Sequence, residues 1–152
     1  MESNNLSRNE KTPGSSRETI IWIDLGTTNS CASIIRNEKR VEIIPENNTG
    51  KTIIPSMVVF KKEKKLIGTI AKNYFREYPE LTMLTMFNSK RLLGRKFNNK
   101  QVQKDIKNWP VKVIEDKETG KPQYVIKIEN KEKKYFPEDV SSMILKYIKK
   151  YS

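Results

Sequence analysis

Ile20-Ile21-Trp22-Ile23-Asp24-Leu25-Gly26-Thr27-Thr28-Asn29-Ser30-Cys31-Ala32-Ser33-Ile34-Ile35-Arg36 is the stretch on which the fold turns. Four β-favouring apolar residues run into Asp24, a polar turn bearing one glycine follows, and Ser30–Arg36 resumes a strand. The turn Asn37-Glu38-Lys39 then returns the chain into a third strand, Arg40–Ile44, which predicts an antiparallel meander. The first turn also carries chemistry. A tight turn containing glycine exposes consecutive backbone N–H groups, and these make an anion-binding concavity. Thr27 and Thr28 add hydroxyl donors, and a carboxylate at the strand end, Asp24, suits a hydrated magnesium ion. Magnesium keeps several waters and binds through one or two carboxylates plus phosphate. An ordinary polar hairpin turn is the competing reading of the same residues.

Working outward, residues 1–18 are polar, hold Pro13 and Gly14, and offer almost nothing to bury, which predicts a disordered tail. Pro45–Gly50 reads as a loop, and Ile53–Phe60 as a strand that Pro55 makes irregular or places at an edge. Helical periodicity begins after Gly68, with Ile70, Tyr74, Phe75 and Tyr78 on one face and Pro79 as the stop. Phe87–Leu93 reads as a short helix closed by Gly94, and Val102 with Ile106 marks a third helix ending before Trp109-Pro110. Val111–Ile114 and Tyr124–Ile128 read as strands of a second small sheet. Pro137 opens the last helix, with Glu138 and Asp139 in its first turn and Lys146, Lys149 and Lys150 late, all matching the helix dipole. Its stripe of Val140, Met143, Ile144, Tyr147, Ile148 and Tyr151 needs a surface to cover it. The expectation is that the chain does not supply all of that surface, reads as truncated, and folds poorly alone.

Composition narrows the functions. The 152 residues carry 30 Lys+Arg against 18 Asp+Glu, a formal charge of +12, with one cysteine and no histidine. An internal disulfide, a multi-cysteine zinc site and any histidine-based triad are excluded. The longest fully apolar runs, Ile20–Ile23 and Met57–Phe60, have four residues each, where a membrane-spanning helix needs about 20. No membrane role is expected. Met1–Thr19 lacks an apolar core and carries Glu2, Glu10 and Glu18, unlike a secretory or mitochondrial leader. The lysines are spread over the chain without a zinc-finger, RNP or KH pattern, so no specific nucleic acid is expected either. Gly50-Lys51-Thr52 imitates the end of a P-loop, but position 45 is proline instead of glycine and a β-like Ile53-Ile54-Pro55 follows. Cys31 has no histidine to activate it and reads as a small buried apolar residue.

The segment Ile23–Cys31 resembles the first phosphate-binding segment of the 70-kDa heat-shock chaperones. The resemblance continues in register through Val41-Glu42-Ile43-Ile44, Ile54-Pro55-Ser56, Leu66-Ile67-Gly68 with Ala71-Lys72-Asn73, and Ser89–Arg95. It ends with Trp109-Pro110 and Phe136–Leu145, so that it covers residues 19–151. It implies an α/β, actin-like and ribonuclease-H-like ATPase fold, with residues 19–152 forming an incomplete first lobe, a mixed sheet with flanking helices. It further implies that Asp24 binds magnesium through water, that Gly26, Thr27, Thr28 and Asn29 wrap the β- and γ-phosphates of ATP, and that Lys90 reaches the γ-phosphate and positions the attacking water. The reaction would be phosphoryl transfer to water, driven by positioning and charge stabilisation. Unfolded client polypeptides, J-domain co-chaperones and nucleotide-exchange factors are the implied partners. Trp109-Pro110 suggests a cytoplasmic member, while Asn29, shared with bacterial and mitochondrial members, leaves the mitochondrion as the second choice.

The family's second glycine-rich phosphate loop has no counterpart here, because the six glycines, at 14, 26, 50, 68, 94 and 120, are never adjacent. A complete micromolar site corresponds to about −8 kcal/mol, and half of that is about −4 kcal/mol, or roughly millimolar. The chain by itself is therefore expected to hold Mg-ATP only negligibly and to be catalytically inactive. Two rivals stand beside this reading: a non-catalytic interaction module derived from the chaperone, and a basic nucleic-acid-associated protein.

Overall fold

Alternation of buried and exposed side chains sets the first sheet. In the computed structural model, which describes residues 20–36, 40–47, 49–62 and 64–150, β1 (Ile21–Asp24) runs antiparallel to β2 (Asn29–Arg36), from Ile21 opposite Ile34 to Asp24 opposite Cys31. β3 (Arg40–Ile43) continues the meander with Ser33 opposite Ile43. The expected tail, the 37–39 turn and Tyr151 lie outside the described residues. Ala32, Ile34 and Ile44 point into the core, whereas Trp22, Ile35, Val41 and Ile43 stand exposed on the opposite face.

The strand expected over 53–60 is split. β4 (Ile54–Pro55) pairs with the start of β2, Ser30 opposite Ile54, and Ser56 breaks the run before β5 (Met57–Lys61). β5 is the middle strand of a second antiparallel sheet, between β6 (Lys64–Ile67) and β7 (Thr85–Phe87), and buries Val58, Val59 and Phe60. The third sheet places β9 (Pro122–Ile128) between β8 (Lys112–Glu115) and β10 (Lys131–Tyr135). All pairings among the described residues are antiparallel. β6 and β10 were not anticipated. Both are edge strands rich in lysine, and charge on an edge strand hides its alternation while discouraging pairing with other chains.

Among the described residues three α-helices flank these sheets. α1 (Thr69–Glu77) does not bury the face expected of it: Thr69 and Ala71 are buried, Tyr74 and Phe75 are half-buried, and Ile70 and Tyr78 are exposed. The two small residues let the helix close against β5, and the larger ones fall at its margin. Tyr74 tilts against Tyr78 with ring centres 4.8 Å apart, and the Lys61 ammonium lies 4.9 Å from the Tyr74 ring centre. Phe87 belongs to β7 and not to a helix, because Asn88 takes a left-handed conformation, φ 53°, that leaves only a 3₁₀ turn at Ser89–Arg91. α2 (Lys100–Ile106) is capped by Asn99, whose side-chain oxygen accepts from the N–H groups of Gln101 and Val102.

α3 (Pro137–Lys149) corrects the expectation of an uncovered stripe. Val140, Ile144 and Ile148 are fully buried, Met143 and Tyr147 half-buried, and the helix packs on β5, β6, β9, β10 and the Ser89–Arg91 turn. Its partner surface is the chain itself, so the reason for expecting poor folding disappears.

One charged group lies within this core. Glu46 is 0% exposed. Its Oε1 accepts from the Thr69 N–H at 2.9 Å and from the Tyr147 hydroxyl at 2.8 Å, and its Oε2 accepts from the Thr49 hydroxyl at 2.8 Å. A side chain at Gly68, φ 74°, would collide with this carboxylate, so glycine is required there. Burial pushes the Glu46 pKa up, but the hydrogen bonds from Thr69, Tyr147 and Thr49 outweigh it and hold the carboxyl below its ordinary value.

Two outcomes are expected. The monomer unfolds in one cooperative thermal transition, and Ile144→Ala lowers its stability by about 2–5 kcal/mol; a broad, non-cooperative melt would contradict the packing of α3. Because the folded pKa of Glu46 lies below the unfolded one, its contribution is present above pH about 4.5 and is lost as pH falls through the folded value. Glu46→Gln flattens that acid limb in denaturant titrations, and Tyr147→Phe costs roughly 1.5–3 kcal/mol near neutral pH.

Candidate functional site

The β1–β2 turn is built by two constraints. At Gly26 a Cβ would overlap the carbonyl oxygen of Asn29, so only glycine lets the two sides of the turn approach. On the inner side, Ser56 donates its N–H to Thr28 O at 2.8 Å and its hydroxyl to Gly26 O at 2.9 Å. The Ser56 and Ser30 hydroxyls are 2.8 Å apart, and both residues are buried. Carbonyls of the turn are thus engaged, while the N–H groups of Gly26, Thr27 and Thr28 make no backbone hydrogen bond among the described residues. Asp24, Thr28 and Asn29 are exposed, and Thr27 is half-buried. Free donors in succession, two hydroxyls and an adjacent carboxylate suit an anion accompanied by a hydrated cation.

Lys90 sits in the Ser89–Arg91 turn and is exposed. Its connection to the first turn runs through strand register. Met57 follows Ser56 directly and stands opposite Phe87, and the chain then passes Asn88 and buried Ser89 to reach Lys90. Leu92 is 1% exposed and anchors the far end of this turn. A cavity of about 470 Å³ is lined by Ile21 and Ile23 of β1, by Leu93 beyond the Lys90 turn, and by α3 residues that include Ser141 and Leu145. Asp24 thus ends β1, Gly26, Thr27 and Thr28 lie in the turn, Asn29 opens β2, and Lys90 stands on the separate Ser89–Arg91 turn. Cys31 stands opposite Asp24 on the outward face and is half-buried, so it is not the enclosed residue that was expected.

Sequence reasoning missed the support beneath the turn. In the sequence Ser30 and Ser56 stand out only as members of motifs and Glu46 only as part of a loop, because a serine or glutamate in a polar stretch carries no local sign that it will be buried. The only available signal was the β-rich Ile54–Phe60 segment on either side of Ser56.

The family model described as Hsp70 protein matches residues 20–152. The heat shock 70 kDa protein of Trichophyton rubrum is 45% identical over 125 residues, covering 82% of this chain and 18% of that protein. Heat shock cognate 70 kDa protein 3 of Dictyostelium discoideum is 44% identical over 131 residues, 86% of this chain and 20% of its own length. The putative heat shock 70 kDa protein 7 of Homo sapiens is 40% identical over 133 residues, 88% of this chain and 34% of that protein. The chain therefore spans about a fifth of the first two relatives and about a third of the third.

Gly26→Ala is expected to displace the amide resonances of Leu25–Asn29 while leaving those of α3 in place, and to cost about 1–3 kcal/mol in chemical denaturation. An unmoved turn would show that the close approach to Asn29 is not a constraint.

Proposed function

This chain belongs to the Hsp70 protein family, and from that premise we propose that its β1–β2 turn is the first phosphate-binding element of an ATP site. The chain corresponds to part of the nucleotide-binding domain of these chaperones. The observation that carries the reading is the sorting of backbone groups at the turn: Ser56 takes the Gly26 and Thr28 carbonyls, and the N–H groups of Gly26, Thr27 and Thr28 are left for an anion. Gly26, Thr27, Thr28 and Asn29 would hold the β- and γ-phosphates, and Asp24 would hold magnesium through its water shell. Bound there, the ion supplies neutralisation of phosphate charge. Lys90, carried on a turn with a buried serine and leucine at its ends, would bring a cation to the γ-phosphate and orient the water that attacks it. Positioning and electrostatic stabilisation are the whole of what these residues contribute to phosphoryl transfer.

In the longer polypeptides of the family this site would drive ATP-dependent binding and release of unfolded clients, with J-domain co-chaperones and nucleotide-exchange factors as partners and the cytoplasm as the working compartment. Alone, residues 1–152 would bind Mg-ATP in the millimolar range and leave it unhydrolysed. A second reading, a non-catalytic interaction module, is favoured by one observation: the exposed apolar face of the first sheet formed by Trp22, Ile35, Val41 and Ile43.

A titration of the isotopically labelled chain with Mg-ATP separates the two. The amides of Gly26–Asn29 and Lys90 are expected to shift together at roughly millimolar ligand, without calorimetric saturation below about 10 µM, and Asp24→Asn removes the dependence on magnesium. Silent turn amides together with concentration-dependent self-association would favour the interaction module instead.

A further inference from the structure

Ser56 is assigned no ligand contact of its own, yet three of its contacts converge on the turn. Its N–H meets Thr28 O, its hydroxyl meets Gly26 O, and its oxygen lies 2.8 Å from the Ser30 hydroxyl. A serine hydroxyl has one proton to give and two lone pairs. With that proton directed at Gly26 O, the proton in the Ser30–Ser56 contact comes from Ser30. A directed relay results, from Ser30 O–H to Ser56 O–H to the Gly26 carbonyl, between residues that are 2% and 3% exposed. Each bond in such a chain polarises the next, and the low dielectric around it makes an unpaired member costly.

The relay fixes more than a carbonyl. The peptide bonds here are trans, and in a planar trans peptide the C=O of one residue points opposite to the N–H of the next. Holding Gly26 C=O inward therefore turns the Thr27 N–H outward, and that N–H makes no backbone hydrogen bond among the described residues. Holding Thr28 C=O sets the following peptide plane in the same way. Position 56 can do this because Ser56 lies between β4, which is paired to β2, and β5, which belongs to the second sheet, so its backbone is pinned from both sides.

We propose that Ser56 is a positioning residue for phosphate binding, which aims the Thr27 N–H and the rest of the turn outward by holding the Gly26 and Thr28 carbonyls. The inference rests on the phosphate reading of the turn given above.

The test compares the wild-type chain with Ser56→Ala, Ser56→Thr and Ser30→Ala in Mg-ATP titrations followed at the turn amides. Ser56→Ala is expected to raise the apparent Kd about tenfold, and Ser56→Thr, which keeps the hydroxyl, to stay within about threefold of wild type. Ser30→Ala removes the donor behind Ser56 and falls between them. The Gly26 carbonyl carbon resonance of the ligand-free protein should move in Ser56→Ala and not in Ser56→Thr, which a general loss of packing would not produce. Wild-type affinity in a folded Ser56→Ala overturns the proposal while leaving the phosphate reading intact. If Ser56→Ala does not fold, Ser30→Ala decides: a raised Kd sustains the relay and an unchanged one overturns it. Wild-type turn amides that ignore Mg-ATP overturn the phosphate reading itself, and this inference with it.

Discussion

A carboxylate removed from water must be matched by donors, and Glu46 finds three, one beside it in sequence and two from distant parts of the chain. Thr49 comes from its own loop, Thr69 from the start of α1, and Tyr147 from α3, 101 residues away in sequence. Removing one partner of a buried charge costs far more than the net worth of the contact, because the charge stays behind unpaired. The location of Glu46 therefore dictates how three elements meet. Eight residues after it, Ile54 pairs with Ser30, and Ser56 then reaches the turn. The exposed donors at Gly26–Thr28 are thus supported by a layer that begins at a charge and passes through hydroxyls.

Legibility of this arrangement in the sequence followed the range of the forces involved. β1, β2 and β3 were readable because alternation and turn residues act locally, and α3 was readable because its opening proline and most of its charges and stripe lie within thirteen residues. Asp24 through Asn29 could be singled out for the same reason. What could not be read was set by tertiary contact. α1 buries Thr69 and Ala71 in place of its larger residues because small side chains are what permit close approach to β5. β6 and β10 hide behind lysines that belong to an edge. The stripe of α3 reads as lacking a partner, since nothing local announces that β5, β9 and β10 will gather beneath it.

The core and the periphery divide the polar work between them. Tyr124, whose phenol burial pushes up well beyond its ordinary pKa, gives its proton to Phe87 O at 2.7 Å and so ties the third sheet to the second. Surface ion pairs such as Lys121 with Glu138 at 3.3 Å are exposed on both sides and contribute little.

The two tryptophans differ in exposure, Trp22 being exposed and Trp109 half-buried. Trp22 is 46% exposed on the outward face of β1, two residues from Asp24, whereas Trp109 is sandwiched between Phe87 and Tyr124, with ring centres 5.4 and 6.3 Å away. Their emission is accordingly a two-channel optical record. A water-soluble quencher reaches the indole of Trp22 more readily than that of Trp109, so events at the β1–β2 turn and loosening of the joint between second and third sheets differ in their accessible emission in unlabelled protein.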